Sequence, residues 1–386
     1  MRKRIGLILF GTSDLSVIAY KDAGMFLYEL AKNNGWSAKY LFFKTQYENP
    51  IWPNSFLEYV KPICIGETSD YKAQVNMASC YIRKHASDFE VMMFFNYGST
   101  IWRLARLCKL YNPSLVVYDK LDMGHGGYSH FQNDKFFRFI KNYFEKVKSR
   151  YVDWFTVETE SYFNSLRDNI VFQNRIGYLP NGVSLMDIDQ KAISSVNKEN
   201  ILITVGRLGS YAKNSELLID SIEKLPLDVL QSWKFYFVGP YTDAFYQYVK
   251  NKKKDFPQLE NQLTLTGDIR NRNDLYALYA KAKIICMTSR TESVCISVIE
   301  AMYFSVYPII TYYSDFAIDA TNNCTCGRII SNDANEIANV LLEEMTDSSL
   351  GEKGEKAKLY AQEHFSYKIL SSRLDKQLMS ILSKKR

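Results

Sequence analysis

TSRTESVCISVIEAMYFSVYP, residues 288–308, decides how the rest of the chain is read. Ahead of it runs Ile284 to Met287, a short apolar stretch that opens on two β-branched residues and is bounded by polar ones, the pattern of a buried strand. From about Ile296 the period becomes that of a helix, with Ile296, Ile299, Met302 and Tyr303 on one side. Glu292 then falls in a strand-to-helix loop. Glu300 lies about two turns further on, roughly 12 Å away at a rise of ~1.5 Å per residue. Two carboxylates spread over that length can hold the ends of one polyhydroxylated ligand, but they are too far apart to share a proton. Pro308 opens a further strand.

The same alternation extends outward on both sides. Downstream of Asn200, strands are expected at Ile201 to Val205, Lys234 to Val238, Leu263 to Leu265 and Ala282 to Met287. After the first of these comes Gly206-Arg207-Leu208, then Lys213-Asn214 at the head of a helix lined by Leu217, Leu218, Ser221, Ile222 and Leu225. Upstream, strands are expected at Ile5 to Phe10, Ala38 to Phe43, Val91 to Phe95, Leu115 to Tyr118 and Trp154 to Val157, with helices over Tyr71–Lys84, Thr100–Leu110 and Lys135–Lys148. Ser13 or Asp14 is expected to cap the first helix. Strand and helix in turn imply parallel, doubly wound sheets. YLPNGV, residues 178–183, is a turn by its own chemistry and marks the boundary between the halves. A polar segment, Asp187 to Asn200, follows as linker or peripheral element. Near the end Ser366 can cap a last helix with Leu370, Leu374, Leu378 and Ile381 inside.

Composition bounds the function. At 386 residues the chain is long for one core and suits two domains. With 47% hydrophobic and 23% charged residues it is neither disordered nor membrane-spanning in type. MRKRIGLILFG imitates a signal peptide, but Thr12, Ser13 and Asp14 cut the apolar part short. Seven cysteines, odd in number and scattered, fit a reducing cytoplasm. Cys324 and Cys326 lack the partners of a zinc site, and no metal ligands are expected. The net charge of +6 forms no stripe for nucleic acid. Its clusters, Arg2–Arg4, Lys252–Lys254 and Lys384–Arg386, read either as a peripheral contact with an anionic membrane surface or as solvated termini and a loop.

The stretch from Ser289 through Glu292 and Glu300-Ala301-Met302 to Pro308 resembles the Glu-x7-Glu donor-site signature of retaining glycosyltransferase family 4. VGRLGSYAKN, residues 205–214, is similar to the Gly-Arg-Leu…Lys element of that family, YLPNGV to its segment before the interdomain linker, and His364-Phe365-Ser366-Tyr367 to its Phe-Ser-Trp. The resemblance is close from Ile201 to about Lys385 and only rhythmic before that. It implies an α/β GT-B fold, two Rossmann-like doubly wound domains facing a central cleft. Residues 1–183 would bind the acceptor and 184–365 the nucleotide sugar, while 366–386 form a helix crossing back onto the first domain. It further implies that Arg207 and Lys213, beside Gly206, bind the donor diphosphate, that Glu292 contacts the transferred sugar, and that Glu300 holds the ribose. The backbone at Ile269 would meet the nucleobase, and Ser289, Ser293, Val294 and Cys295 would line the donor.

In the loop DKLDMGHGGY, residues 119–128, the resemblance implies a functional His or Asp beside the transferred sugar: His125 would orient the donor and Asp122 would accept a proton from the acceptor hydroxyl. Gly11-Thr12-Ser13 reads either as an anion-facing loop or as a plain capped turn. The expected donor is a UDP-sugar before a GDP-sugar, with no cofactor required. The acceptor is a glycan or lipid-linked glycan, and the location the cytoplasm at the inner face of the membrane. Ser293-Val294-Cys295 departs from the Gly-aromatic-Gly common in the family, and Ser305 stands where a glycine is usual. Those departures keep a non-catalytic GT-B subunit open as an alternative, with a nucleotide-sugar epimerase behind it. A dehydrogenase is weakest, because no Gly-x-Gly-x-x-Gly follows the first strand.

Overall fold

The structure, a computed structural model, describes residues 3–11, 19–44, 51–96, 98–122, 136–191 and 196–385, with the backbone alone for 136–139 and 141. The chain divides into two compact units, Met1–Met186 with Ser366–Arg386, and Asp187–Phe365.

In the first unit seven strands form one sheet: β1 (Arg4–Ile8), β2 (Ser37–Lys44), β3 (Val60–Glu67), β4 (Val91–Phe95), β5 (Val116–Lys120), β6 (Trp154–Val157) and β7 (Ile176–Tyr178). Their order is β3-β2-β1-β4-β5-β6-β7. Every neighbouring pair is parallel. The chain starts in the middle, winds to one edge, then returns over β1 to build the other, so the winding reverses between β1 and β4. Runs such as Val91–Phe95 are apolar at every position because helices cover both faces. The helices used below are α1 (Asp22–Asn34), α2 (Ser99–Tyr111) and α3 (Phe136–Ser149). The expected caps at Ser13 and Asp14 lie outside the described residues.

Two strands of this sheet escape the sequence pattern. β3, VKPICIGE, carries Pro62 and Gly66, which an edge strand tolerates and a central one does not. β7 is three residues long. Strand β5 also runs two residues past the expected end at Tyr118. Asp119 and Lys120 are charged yet wholly buried, so polarity misplaces the strand's end.

The second unit holds β8 (Ile201–Val205), β9 (Lys234–Val238), β10 (Leu263–Gly267), β11 (Ile284–Met287), β12 (Tyr307–Thr311) and β13 (Arg328–Ile330), ordered β10-β9-β8-β11-β12-β13 and parallel throughout. Its relevant helices are α4 (Ser215–Ile222), α5 (Arg272–Lys281), α6 (Ile296–Tyr303) and α7 (Leu350–His364). Helix α6 was expected to bury one side. It buries Val298, Ile299, Glu300, Ala301 and Met302 in succession, because α5, α7, β11 and β12 all pack on it.

The turn out of α6 passes through Ser305 at φ 61°, a left-handed conformation that favours glycine. Its hydroxyl donates to Glu355 at 2.5 Å. Helix α7 approaches so closely that a Cβ on Gly354 would stand 2.4 Å from the Ser305 carbonyl oxygen. The last helix, α8 (Tyr367–Lys384), belongs to the first unit. It lies along α1, with Leu370, Leu374 and Leu378 buried and Tyr367 edge-on to Phe26 at 5.2 Å. Asp375 accepts from the Trp36 indole at 2.7 Å and from Lys3 at 3.0 Å.

Candidate active site

The carboxyl end of β8 is shaped by two glycines. Gly239, at φ 126°, lets the end of β9 approach so closely that a Cβ there would meet the Gly206 carbonyl oxygen at 2.1 Å. Gly206 in turn lies under a side chain: a Cβ at 206 would stand 2.7 Å from Cε of Lys213. The intervening loop closes on itself, with the N–H groups of Lys213 and Asn214 donating to Ser210 O at 3.0 and 3.2 Å. Asn214, buried at φ 50°, is the last residue before α4.

A second loop, out of β11, is laced onto the first. Thr288 donates to Asn214 O at 2.9 Å, Arg290 N–H to Ala212 O at 2.7 Å, and the Arg290 guanidinium to Tyr211 O at 2.8 Å. Ser289 is fully buried, and its carbonyl accepts from Thr311 at 2.6 Å. These bonds bring Glu292 to Lys213 Nζ at 2.5 Å, with Ser289 Oγ donating to the same carboxylate oxygen at 3.0 Å. The pair is only 15% and 16% exposed, shielded but still open to solvent. Burial works against the charge on Lys213, but Cys295 and Glu292 outweigh it and raise its pKa. Burial also pushes the Cys295 thiol up. Arg207 is exposed and near enough for its charge to oppose that of Lys213.

Past Glu292, Ser293 is half-buried while Val294 and Cys295 turn inward, and Cys295 Sγ lies 3.3 Å from Ser297 Oγ at the start of α6. Glu300, eight residues on from Glu292, is 7% exposed. One of its oxygens accepts from Arg272 at 2.7 Å and from Tyr276 at 2.9 Å. The guanidinium also lies over the Tyr276 ring and donates to its hydroxyl. Burial opposes the charge of Arg272, and Glu300 more than restores it. Ile269 sits half-buried in the loop between β10 and α5, three residues before Arg272.

The structure thus gathers Gly206, Arg207, Lys213, Ser289, Glu292 and Cys295 into one site, and fixes Glu300 on α6, the helix that starts just after Cys295. Arg272 and Tyr276 were missed by sequence reasoning. Their i, i+4 spacing on one helix was legible, but nothing in it points to a carboxylate 28 residues away.

In the first unit, Asp122 is exposed just past β5, and its charge bears on Asp22 and Glu158. His125 lies outside the described residues. The Gly11 N–H, in the loop that reads either as anion-facing or as a plain capped turn, donates to Gln74 Oε1 at 3.0 Å; Thr12 and Ser13 are not described. A cavity of about 280 Å³ opens at the carboxyl ends of β1 and β4, lined by Phe10, Tyr71, Phe95, Asn96 and Ser99 among others.

Residues 186–364 match the family model Glycosyl transferases group 1. A curated relative from Campylobacter jejuni subsp. jejuni serotype O:2 is 30% identical over 145 residues: GalNAc-alpha-(1->4)-GalNAc-alpha-(1->3)-diNAcBac-PP-undecaprenol alpha-1,4-N-acetyl-D-galactosaminyltransferase. That alignment spans 38% of this chain and 38% of the relative's length. Among solved structures, sucrose-phosphate synthase from Thermosynechococcus elongatus is similar with a TM-score of 0.70 at 16% identity, covering 99% of this chain and 100% of that one. HepE of Anabaena, solved with UDP and glucose, is similar with a TM-score of 0.65 at 13% identity, covering 98% and 100%. The fold is GT-B, as the sequence led us to expect.

Proposed function

We propose that the protein is a retaining glycosyltransferase. It takes a hexosyl or N-acetylhexosaminyl group from a nucleotide sugar, UDP-linked before GDP-linked, and passes it to a glycan or lipid-linked acceptor in bacterial surface polysaccharide assembly. The observation that carries the reading is the meeting of Lys213 with Glu292 beside Gly206 and the head of α4. The Glycosyl transferases group 1 match over the same unit supports it. The Campylobacter jejuni relative's name makes an N-acetylhexosamine and a polyprenyl-diphosphate-linked glycan the first donor and acceptor to try.

In the proposed reaction Arg207 and Lys213 take up the charge that grows on the departing nucleotide diphosphate as the anomeric carbon–oxygen bond breaks. Glu292, released from Lys213 as phosphate takes its place, holds the transferred sugar and positions its anomeric carbon. Glu300, already held through one oxygen by Arg272 and Tyr276, offers the other to the ribose hydroxyls. Relatives of family 4 retain the anomeric configuration by attack on the same face, with the leaving phosphate as base, and the same course is proposed here. Asp122 as proton acceptor, His125 as donor-orienting group and the aromatic-lined cavity of the first unit as an acceptor pocket complete the proposal. The cytoplasmic face of the membrane is the proposed place of action.

A screen of UDP- and GDP-sugars against polyprenyl-diphosphate-linked glycans, reading released nucleotide, tests the reading. Donor-dependent release that needs the acceptor supports it, and an epimerised donor without acceptor would replace it with the epimerase. Ser293, Val294 and Cys295, in place of the family's Gly-aromatic-Gly, favour one second reading, a GT-B subunit that does not turn over. Folded protein that binds none of these donors in calorimetry would establish that reading and sink ours.

A further inference from the structure

Helix α3 is built inside out. Asn142 and Ser149 are fully buried and Glu145 is half-buried, whereas Ile140, Tyr143, Phe144 and Val147 are 42%, 56%, 59% and 42% exposed. At ~100° per residue the four apolar side chains fall within about 100° of arc, and the three inward polar ones lie opposite. A soluble surface helix has the reverse arrangement. On the same helical wheel Lys146 and Lys148 stand on either side of the apolar stripe, where long cationic side chains reach up from an immersed helix.

The charge around this stripe is one-sided. α2 packs beside α3 and exposes Arg103, Arg106 and the apolar Leu110. Arg106 is close enough to Tyr151, just past α3, to act on its hydroxyl. Arg103, Arg106, Lys146 and Lys148 have no ion-pair partner among the described residues. Within 99–111 and 142–150, Arg103, Arg106, Lys146 and Lys148 stand exposed against one acidic residue, the half-buried Glu145, while Lys109 is paired with Asp153 at 2.5 Å. The sequence-level clusters are by contrast partly spent: Arg4 on Glu90 at 2.8 Å, Lys252 on Glu223 at 2.6 Å and Lys385 on Asp153 at 2.6 Å. No described helix is long and apolar enough to cross a membrane.

We infer that α3, with the basic face of α2, is a docking surface for an anionic phospholipid bilayer. The apolar stripe enters the headgroup–acyl boundary and Arg103, Arg106, Lys146 and Lys148 meet the lipid phosphates. A second copy of this chain is the lesser candidate for covering the stripe, because pairing like faces would bring two sets of unpaired cations together.

The full chain is floated with vesicles of phosphatidylcholine alone and of phosphatidylcholine with phosphatidylglycerol, at low and high salt. Wild type binds the anionic vesicles and loses most of that binding in high salt. Tyr143→Ser/Phe144→Ser weakens binding at least about tenfold with unchanged circular dichroism. Arg103→Gln/Lys146→Gln/Lys148→Gln reduces binding to the level of neutral vesicles and removes the salt dependence. No flotation by wild type, or flotation unchanged in both variants, overturns the inference. So does a concentration-dependent wild-type dimer that Tyr143→Ser/Phe144→Ser makes monomeric, which would assign the stripe to a second copy. The readout involves no sugar, so its failure leaves the transferase reading standing, and failure of the donor screen leaves the surface standing.

Discussion

Each unit keeps a lysine against carboxylate at the carboxyl end of its sheet, two carboxylates in the first and one in the second, and the two clusters differ in access to water. In the first unit Lys120 is wholly buried, 2.9 Å from Glu158 and 3.7 Å from Asp22. Its ammonium lies over the rings of Phe26 and Phe95. In the second unit Lys213 and Glu292 retain about a sixth of their exposure in loops that a ligand can reach. The first cluster has no way to exchange a partner and holds the sheet together. In the proposed function the second trades a carboxylate for a phosphate. Residue type is the same; burial separates a structural ion cluster from a candidate reactive one.

The largest expected effect comes from breaking the sealed cluster. Lys120→Met leaves two carboxylates buried without their cation and should cost about 3–5 kcal/mol, a large part of a domain's stability. Urea unfolding of the full chain measures it, and a loss below about 1 kcal/mol would show that the cluster is not sealed. Lys213→Ala should reverse the pattern: kcat/KM falls about 10²–10³-fold while the unfolding midpoint stays near that of wild type. Glu292→Ala should do likewise, and near-normal turnover in both would end the assignment.

Acidity sharpens the contrast further. Burial pushes the Glu158 carboxyl up to about 8, and Asp22 upward as well, because two carboxylates share one ammonium away from water. A folded pKa above the unfolded one contributes stability that is present below about pH 4.5 and is lost as pH rises through about 8. The stability of wild type relative to Glu158→Gln should therefore decline from about pH 5 to about pH 9 in thermal melts. A difference that stays flat would mean that Glu158 is ionised throughout.

The smallest effect concerns Ser305. Ser305→Ala keeps the left-handed strain and loses the bond to Glu355, and should cost about 0.5–1 kcal/mol. Ser305→Gly relieves that strain and should melt above the alanine variant.

Much of this was legible in residues 288–308 and 201–214, where apolar period, β-branching and Gly-Pro punctuation locate strands, loops and helix starts. Those signals are local, since a strand or helix is set by neighbours a few positions apart. The depth of Glu300, the guanidinium of Arg272 that holds it, the inverted face of α3 and the buried Lys120 left no such trace. Whether a charge is wet or dry depends on which distant segments the fold lays over it. The sequence alone therefore determined the alternating architecture and the residue types of the site. Only tertiary packing decided which lysine–carboxylate cluster would be sealed and which left open, because desolvation is a property of the assembled surroundings and not of the chain's own spacing.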